Sequence, residues 1–225
     1  MIRLLTLSLV AGMSVAVAAQ GAGSAITSTR YAVAYVEVES AAVASMRSAV
    51  ARYRDASRRE GGFGDLELLQ QGGHPGLFVV IERWRNRESA EAHAKADSTK
   101  QFHEAIDPLR VSGYDERPYK DLAIGQASTA GAETVYVVTH VDVAPPGDAT
   151  ALLRRLADDS RNEPGCLRFD ILQHAERANH FTIVEAWRTR AARDRHVAAA
   201  HTRRYRDALQ PMLGSPLDER LMREP

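Results

Sequence analysis

The chain has 225 residues, and its 29 Lys and Arg residues balance 29 Asp and Glu residues exactly one for one, giving no net charge. That length allows one large domain or two small ones, and the absence of any long run of one sign argues against a nucleic-acid tail. The single cysteine, Cys166, excludes an internal disulfide framework, so stability must come from packing.

The first segment is Met1-Ile2-Arg3 followed by an apolar run from Leu4 to Val17 and then small residues, Ala18, Ala19 and Gly21. One basic residue, a short apolar run and an Ala-x-Ala-like end predict a secretory signal peptide over 1–19, with an uncleaved anchor as the alternative. The run is short for a membrane span. Export to the periplasm or medium is therefore expected, with no membrane association once the leader is removed.

After the leader, residues 31–38 (YAVAYVEV) read as a strand, rich in β-branched and aromatic residues. A helix is expected over 41–59, with Val43, Met46, Val50 and Tyr53 on one stripe. Glu60-Gly61-Gly62 ends it. Strands at 65–70 and 77–84 follow, joined by a Gly-rich turn, then a long helix at 88–106, Pro108 and a short final strand. The segment from Asp121 to Glu133 is small and polar and reads as a linker. The same order then returns: a strand at 135–143, a helix at 148–162, strands at 167–173 and 180–187, a helix at 191–209 and a last short strand.

The return is a duplication. Residues Asp55–Arg117 align with Asp158–Arg220 at a constant shift without gaps, and about one position in three is identical. Matched pairs include Glu60/Glu163, Gly62/Gly165, Phe78/Phe181, Glu82/Glu185, Trp84/Trp187, His93/His196 and Asp115-Glu116-Arg117/Asp218-Glu219-Arg220. Each copy has the order β-α-β-β-α-β, the split ferredoxin-like unit. The expected fold is thus α+β, with one domain over 30–120, the linker over 121–133 and a second domain over 134–225.

The stretches EPGCLRFDILQ and HFTIVEAWRTRAARDRH in copy two, and FVVIERWRNRESAEAH in copy one, resemble the antibiotic biosynthesis monooxygenase family. The resemblance covers nearly all of the chain beyond the leader. It implies two ferredoxin-like sheets pairing into a pseudo-dimeric α/β barrel, completed within one chain. A monomer would then suffice, with a homodimer as the other option. The family resemblance also implies oxygenation of quinols or phenols without a cofactor, dioxygen being the co-substrate and a small aromatic molecule the partner. Haem degradation or non-catalytic binding of a small molecule or haem is the alternative. His196 or His93 could serve as an axial haem ligand by analogy, although neither first strand carries the Asn found in the haem-degrading branch.

Cofactor-free oxygenation needs a base near neutral pH, donors for an oxyanion and a water-poor pocket. His93, His196 and His201 could supply the base, and Trp84 and Trp187 could supply N–H donors. Phe78, Phe181, Tyr35, His140, Tyr205 and Glu185 complete the expected substrate wall. The plainer readings are core packing for the tryptophans, helix–sheet packing for the histidines, and pairing of Glu82 and Glu185 with an Arg or with backbone. Because copy one has Ser98 where copy two has His201, copy two is expected to hold the working site. No metal is expected: His196 and His201 would stand about 140° apart around a continuous helix, and no zinc-type Cys/His spacing occurs.

Overall fold

The computed structural model describes residues 28–225, so the expected leader and its cleavage region lie outside the described residues. In copy one, strand β1 (Arg30–Glu37) leads to helix α1 (Val43–Ser57), strands β2 (Phe63–Gln71) and β3 (Leu77–Trp84), helices α2 (Arg87–His93) and α3 (Asp97–Ile106), and strand β4 (Asp115–Ala123). Copy two repeats this with β5 (Val135–Asp142), α4 (Thr150–Arg161), β6 (Cys166–His174), β7 (His180–Trp187), α5 (Arg190–Ala198), α6 (Ala200–Leu209) and β8 (Asp218–Arg223).

All strand pairings are antiparallel, and the two four-stranded sheets close into one barrel in the order β1-β3-β2-β8-β5-β7-β6-β4. Two seams join the copies. At one, β4 meets β6 through Tyr119↔His174 and its neighbours; at the other, β2 meets β8 through Gln70↔Arg223 and Gln71↔Met222. The pseudo-dimeric barrel that the family resemblance implied is therefore present within a single chain.

Strand alternation sorts the core into three layers. Tyr31, Val33, Val79, Ile81, Tyr119, Tyr136, Val138 and Val184 fill the barrel interior. Ala34, Val36, Phe78 and Val80 face outward onto Met46, Val50 and Tyr53 of α1 and Phe102 and Ile106 of α3. Val137, Val141, Phe181, Ile183 and Trp187 face Leu153, Leu156, Tyr205 and Leu209 in the same way. Burying a large side chain such as Phe78 or Phe181 contributes about 1.5–3 kcal/mol.

Between α1 and β2, and again between α4 and β6, the chain turns through Gly62 and Gly165, both at positive φ (85° and 95°). A Cβ on Gly62 would lie 2.5 Å from the Ser89 Cβ, and one on Gly165 would lie 2.7 Å from the Ala192 Cβ. Only glycine combines that backbone with that approach. The matched glycines thereby press the turn against the start of α2 and of α5.

Two expectations change. Each long helix is broken: Ala96 and Ala199 adopt extended backbone, with ψ of 153° and 145°, and a new helix starts beyond each. In copy one Thr99 Oγ1 donates to the His93 carbonyl across the break, at 2.6 Å, which satisfies the end of α2. The linker is shorter than 121–133, because β4 continues to Ala123 and pairs with Ile171. Cys166, by contrast, stands as a small packed side chain: it begins β6 half-buried against the copy-two core, where burial pushes its thiol up to about 12. That environment keeps it protonated and unreactive.

Candidate functional site

Alternation along β3 places Phe78, Val80, Glu82 and Trp84 on the helix-facing side of the sheet, and β7 does the same for Phe181, Ile183, Glu185 and Trp187. The breaks after α2 and α5 then fold each histidine onto its tryptophan. Trp84 and His93 stack with ring centroids 4.1 Å apart; Trp187 and His196 stack at 4.6 Å.

In copy one the histidine is held from both ends. Its Nδ1 lies 2.8 Å from Glu60 Oε2, and its Nε2 lies 2.5 Å from the Tyr53 hydroxyl and 3.1 Å from Glu82 Oε2. Tyr53 also donates to Glu82 Oε1 at 2.9 Å, and Trp84 Nε1 donates to Glu82 Oε2 at 3.1 Å. Burial works against the His93 charge, but the Glu82 and Glu60 carboxylates outweigh it and lift His93 above its ordinary range. Burial, with Glu82 adding to it, raises the Tyr53 hydroxyl so far that it stays a donor.

These side chains line a cavity of about 390 Å³. Tyr53, Glu82, Trp84, His93 and Thr99 form its back, and Arg30, Arg87, His103 and Glu116 stand around it. Ala175 and Glu176, from the β6–β7 turn of copy two, close one side. Glu116 is exposed as a residue but opens to this space, where local desolvation and then the Glu82 charge push its carboxyl above the ordinary range. A cavity of this size fits a small ring system.

Copy two keeps the same parts but not the space. Trp187 Nε1 donates to Glu185 Oε2 at 2.7 Å, and His196 Nδ1 lies 2.6 Å from Glu163 Oε1. His201 Nε2 shares that oxygen at 2.9 Å. Burial raises Glu185 to about 7 and, against Glu163, brings His196 below its ordinary range. Where copy one has Ala32, Ala90 and Ala94, copy two has Val137, Arg193 and Val197. Arg193 pairs with Glu219, the counterpart of Glu116, and Arg206 reaches the same carboxylate at 3.2 Å. Among the described residues, the open cavity that a tryptophan–histidine stack lines is that of copy one. Copy two was expected to hold the working site; these larger side chains occupy the corresponding space there, so the open cavity beside a stack lies in copy one.

The other expected residues separate. Phe78 and Phe181 are fully buried core. Tyr205 is buried with its hydroxyl unpartnered. Glu82 and Glu185 accept from indole N–H groups rather than from an Arg or the backbone. Tyr35 and His140 point into the barrel, on the other side of the sheet from the cavity: Tyr35 packs on the interior core between Arg117 and Arg220, and His140 approaches Tyr119. His196 and His201 do converge, on Glu163, because the break at Ala199 removes the continuous helix on which their 140° separation rested. Glu60, Tyr53, Thr99 and Glu116 were not anticipated as site residues. Glu60 and Glu116 stood among the identical pairs of the repeat, which was the available signal. Both ring nitrogens of His93 are engaged, so a haem iron would have to displace Glu60 or Tyr53 to reach it, whereas in His196 the nitrogen held by Glu163 is Nδ1.

A family model described as antibiotic biosynthesis monooxygenase matches residues 29–105 and again 134–208. Among solved structures, a candidate monooxygenase from Fusobacterium nucleatum superposes with a TM-score of 0.77 at 17% identity, over 88% of this chain and 93% of that one. Another from Lactobacillus acidophilus gives 0.71 at 16% identity, over 87% and 93%. An anthrone oxidase-like protein gives 0.66 at 10% identity, over 88% and 92%. At such identities these likenesses show a shared fold. An uncharacterized protein from Synechocystis is 26% identical over 88 residues, which are 38% of this chain and 60% of that relative.

Proposed function

The chain belongs to the antibiotic biosynthesis monooxygenase family, and on that premise we propose that it is an exported monooxygenase that oxidises a small phenolic or quinol-like molecule with dioxygen, using no bound cofactor. The observation that carries this reading is the copy-one cavity, where an indole–imidazole wall meets two carboxyl groups and a buried tyrosine. A flat aromatic ring fits against Trp84 and His93.

The chemistry asks for a phenolate, because the deprotonated ring is the form that gives electrons to dioxygen. Glu116 is assigned as the base: its raised carboxyl range brings it nearer the pH at which a base is most effective. His93, kept cationic between Glu60 and Glu82, supplies positive charge that favours the phenolate. Glu60 fixes the ring through Nδ1, and Tyr53 holds Nε2, so the charge is pre-oriented. The reaction balances without an outside reductant. A phenol C–H para to the hydroxyl becomes the second carbonyl of a quinone; one oxygen atom of dioxygen enters the product and the other leaves as water, with all four electrons coming from the substrate.

An oxygen electrode with a panel of phenols and hydroquinones tests the reading. Uptake is expected for at least one ring of this size, falling about 100-fold or more in Glu116→Gln and in His93→Ala and persisting in His196→Ala. Uptake lost in His196→Ala alone would move the site to copy two. No uptake with any member would sink the oxygenase reading in favour of a binding role. Export is tested by the mass of the protein recovered outside the cytoplasm, which should lack the leader expected over residues 1–19.

A further inference from the structure

We infer that His140, Asp142 and His180 form a binding site for one divalent first-row transition-metal ion inside the mouth of the barrel, on the opposite side of the sheet from the copy-one cavity. His140 and Asp142 lie two residues apart on β5 and so share its interior face. His180 begins β7 and pairs directly with Asp142 in the ladder. The three side chains are therefore set by strand register rather than by loops.

Their ligand atoms converge. His140 Nε2 lies 2.8 Å from Asp142 Oδ1, His180 Nδ1 contacts that same oxygen, and all the candidate donor atoms lie within 4.8 Å of one another. Asp142 Oδ1 and His180 Nδ1 are buried and lack a well-aligned hydrogen bond, although both histidines contact the carboxylate as ion pairs. Two such atoms in a water-poor place are costly unless a bound group satisfies both, the contact opening to admit it. A cation does so naturally.

The surrounding groups hold the set in place. Asp142 Oδ2 accepts from Ser215 Oγ at 3.0 Å, which leaves Oδ1 turned toward the histidines. The Tyr119 hydroxyl stands 3.5 Å from His140 Nδ1, on the far side of the ring from Nε2. Such outer partners orient ligand rings. Arg220 is taken up by Asp218 at 2.7 Å and Arg117 by Asp115 at 2.5 Å, so the nearby cations carry their own counter-charges. The ligand side chains keep 11–24% exposure, enough for an ion to enter.

Two imidazoles and one carboxylate favour zinc, iron(II) or cobalt(II) over magnesium or calcium, which prefer all-oxygen shells. Three protein ligands leave coordination positions open. The other convergent set, Glu163, His196 and His201, differs: both of its histidines lie at hydrogen-bond distance from Glu163 Oε1, and none of its ligand atoms is left orphaned. The positions matching the inferred site in copy one hold Tyr35, Glu37 and Leu77, so the site belongs to copy two alone.

The test uses the untagged full chain, stripped with chelator and titrated with Co²⁺ and with Zn²⁺ by calorimetry and visible absorption. One Co²⁺ per chain with d–d bands, displaced by Zn²⁺, is expected. Asp142→Asn and His180→Gln should each weaken binding about 100-fold or more, since loss of an outer partner alone costs about 10–100-fold. His201→Gln should bind as the parent does. Far-UV circular dichroism of the stripped variants separates lost ligation from lost folding. No saturable binding by the parent chain overturns the inference, and so does binding that disappears in His201→Gln while surviving in Asp142→Asn.

Discussion

The guanidinium of Arg193 pairs with the carboxylate of Glu219, whereas the matching positions in copy one, Ala90 and Glu116, leave a gap between them. One substitution in a duplicated frame thus separates a filled layer from an open one. The arginine occupies the space beside the sheet and neutralises the carboxylate that, in copy one, faces the cavity. Arg206 adds to this where copy one has His103.

Ala90→Arg should convert copy one to the closed state. Its guanidinium would reach Glu116 and fill the cavity, so phenol-dependent oxygen uptake should fall about 100-fold or more. That size of loss corresponds to about 2.7 kcal/mol of transition-state stabilisation. Folding should barely change, because a pair at a solvent-open edge contributes about 0–1 kcal/mol. The measurement is kcat/KM beside a urea melt. A melt unchanged together with uptake unchanged would show that the cavity is not where substrate goes.

Tyr53→Phe removes the hydroxyl that joins Glu82 to His93. Glu82 Oε1 and His93 Nε2 each lose a buried partner, although Trp84 still donates to Glu82 Oε2. Leaving such groups short of a partner costs about 1–3 kcal/mol, so the thermal midpoint should drop by several degrees, at about 2–4 °C per kcal/mol for a chain of this size. Copy two offers the internal control: its matched position is already Leu156.

Glu185 makes stability fall with rising pH. Burial raises its carboxyl from 4.5 to about 7. Between those values the unfolded chain has released the proton and the native chain still holds it. The unfolded state then binds fewer protons, so unfolding becomes more favourable as pH rises. The contribution is fully present below about 4.5 and is gone above about 7. At roughly 1.4 kcal/mol per unit it amounts to about 3 kcal/mol. Urea melts from pH 4.5 to 7.5 should show this slope in the parent chain and its loss in Glu185→Gln. Identical slopes in the two proteins would refute the assignment.

The duplication was legible because its identical pairs sit at positions that geometry constrains. Gly62 and Gly165 need positive φ, and Trp84 and Trp187 need the histidine stack beneath them. The strands and most of the helices were legible from periodicity and turn residues, and the closed barrel from the family resemblance. The breaks at Ala96 and Ala199 were not, because alanine is a good helix former and nothing local marks the stop; what stabilises the break is Thr99 and the stack, which are tertiary. The same blind spot hid the meeting of His196 with His201. The preference for copy two rested on residue identity, the Ser98/His201 difference, and identity alone does not report volume. Ala32, Ala90 and Ala94 carry no chemistry of their own, yet their small size is what opens copy one.

The two seams that close the barrel are unequal, and this sets where it should open first. Four residue pairs join β4 to β6, whereas Gln70↔Arg223 and Gln71↔Met222 alone join β2 to β8 in the ladder. Local opening follows the regions with the fewest shared bonds. Native-state hydrogen exchange should therefore show the amides of β8 and the end of β2 exchanging before those of β5 and β7, which pair along eight residues. Because both sheets are joined at both edges, the strand edge left to recruit a second chain among the described residues is shortened. Sedimentation should accordingly give a monomer, and the β2–β8 amides should exchange at a rate independent of protein concentration. Exchange that slows as concentration rises would point to an intermolecular partner at this seam and would overturn the single-chain closure.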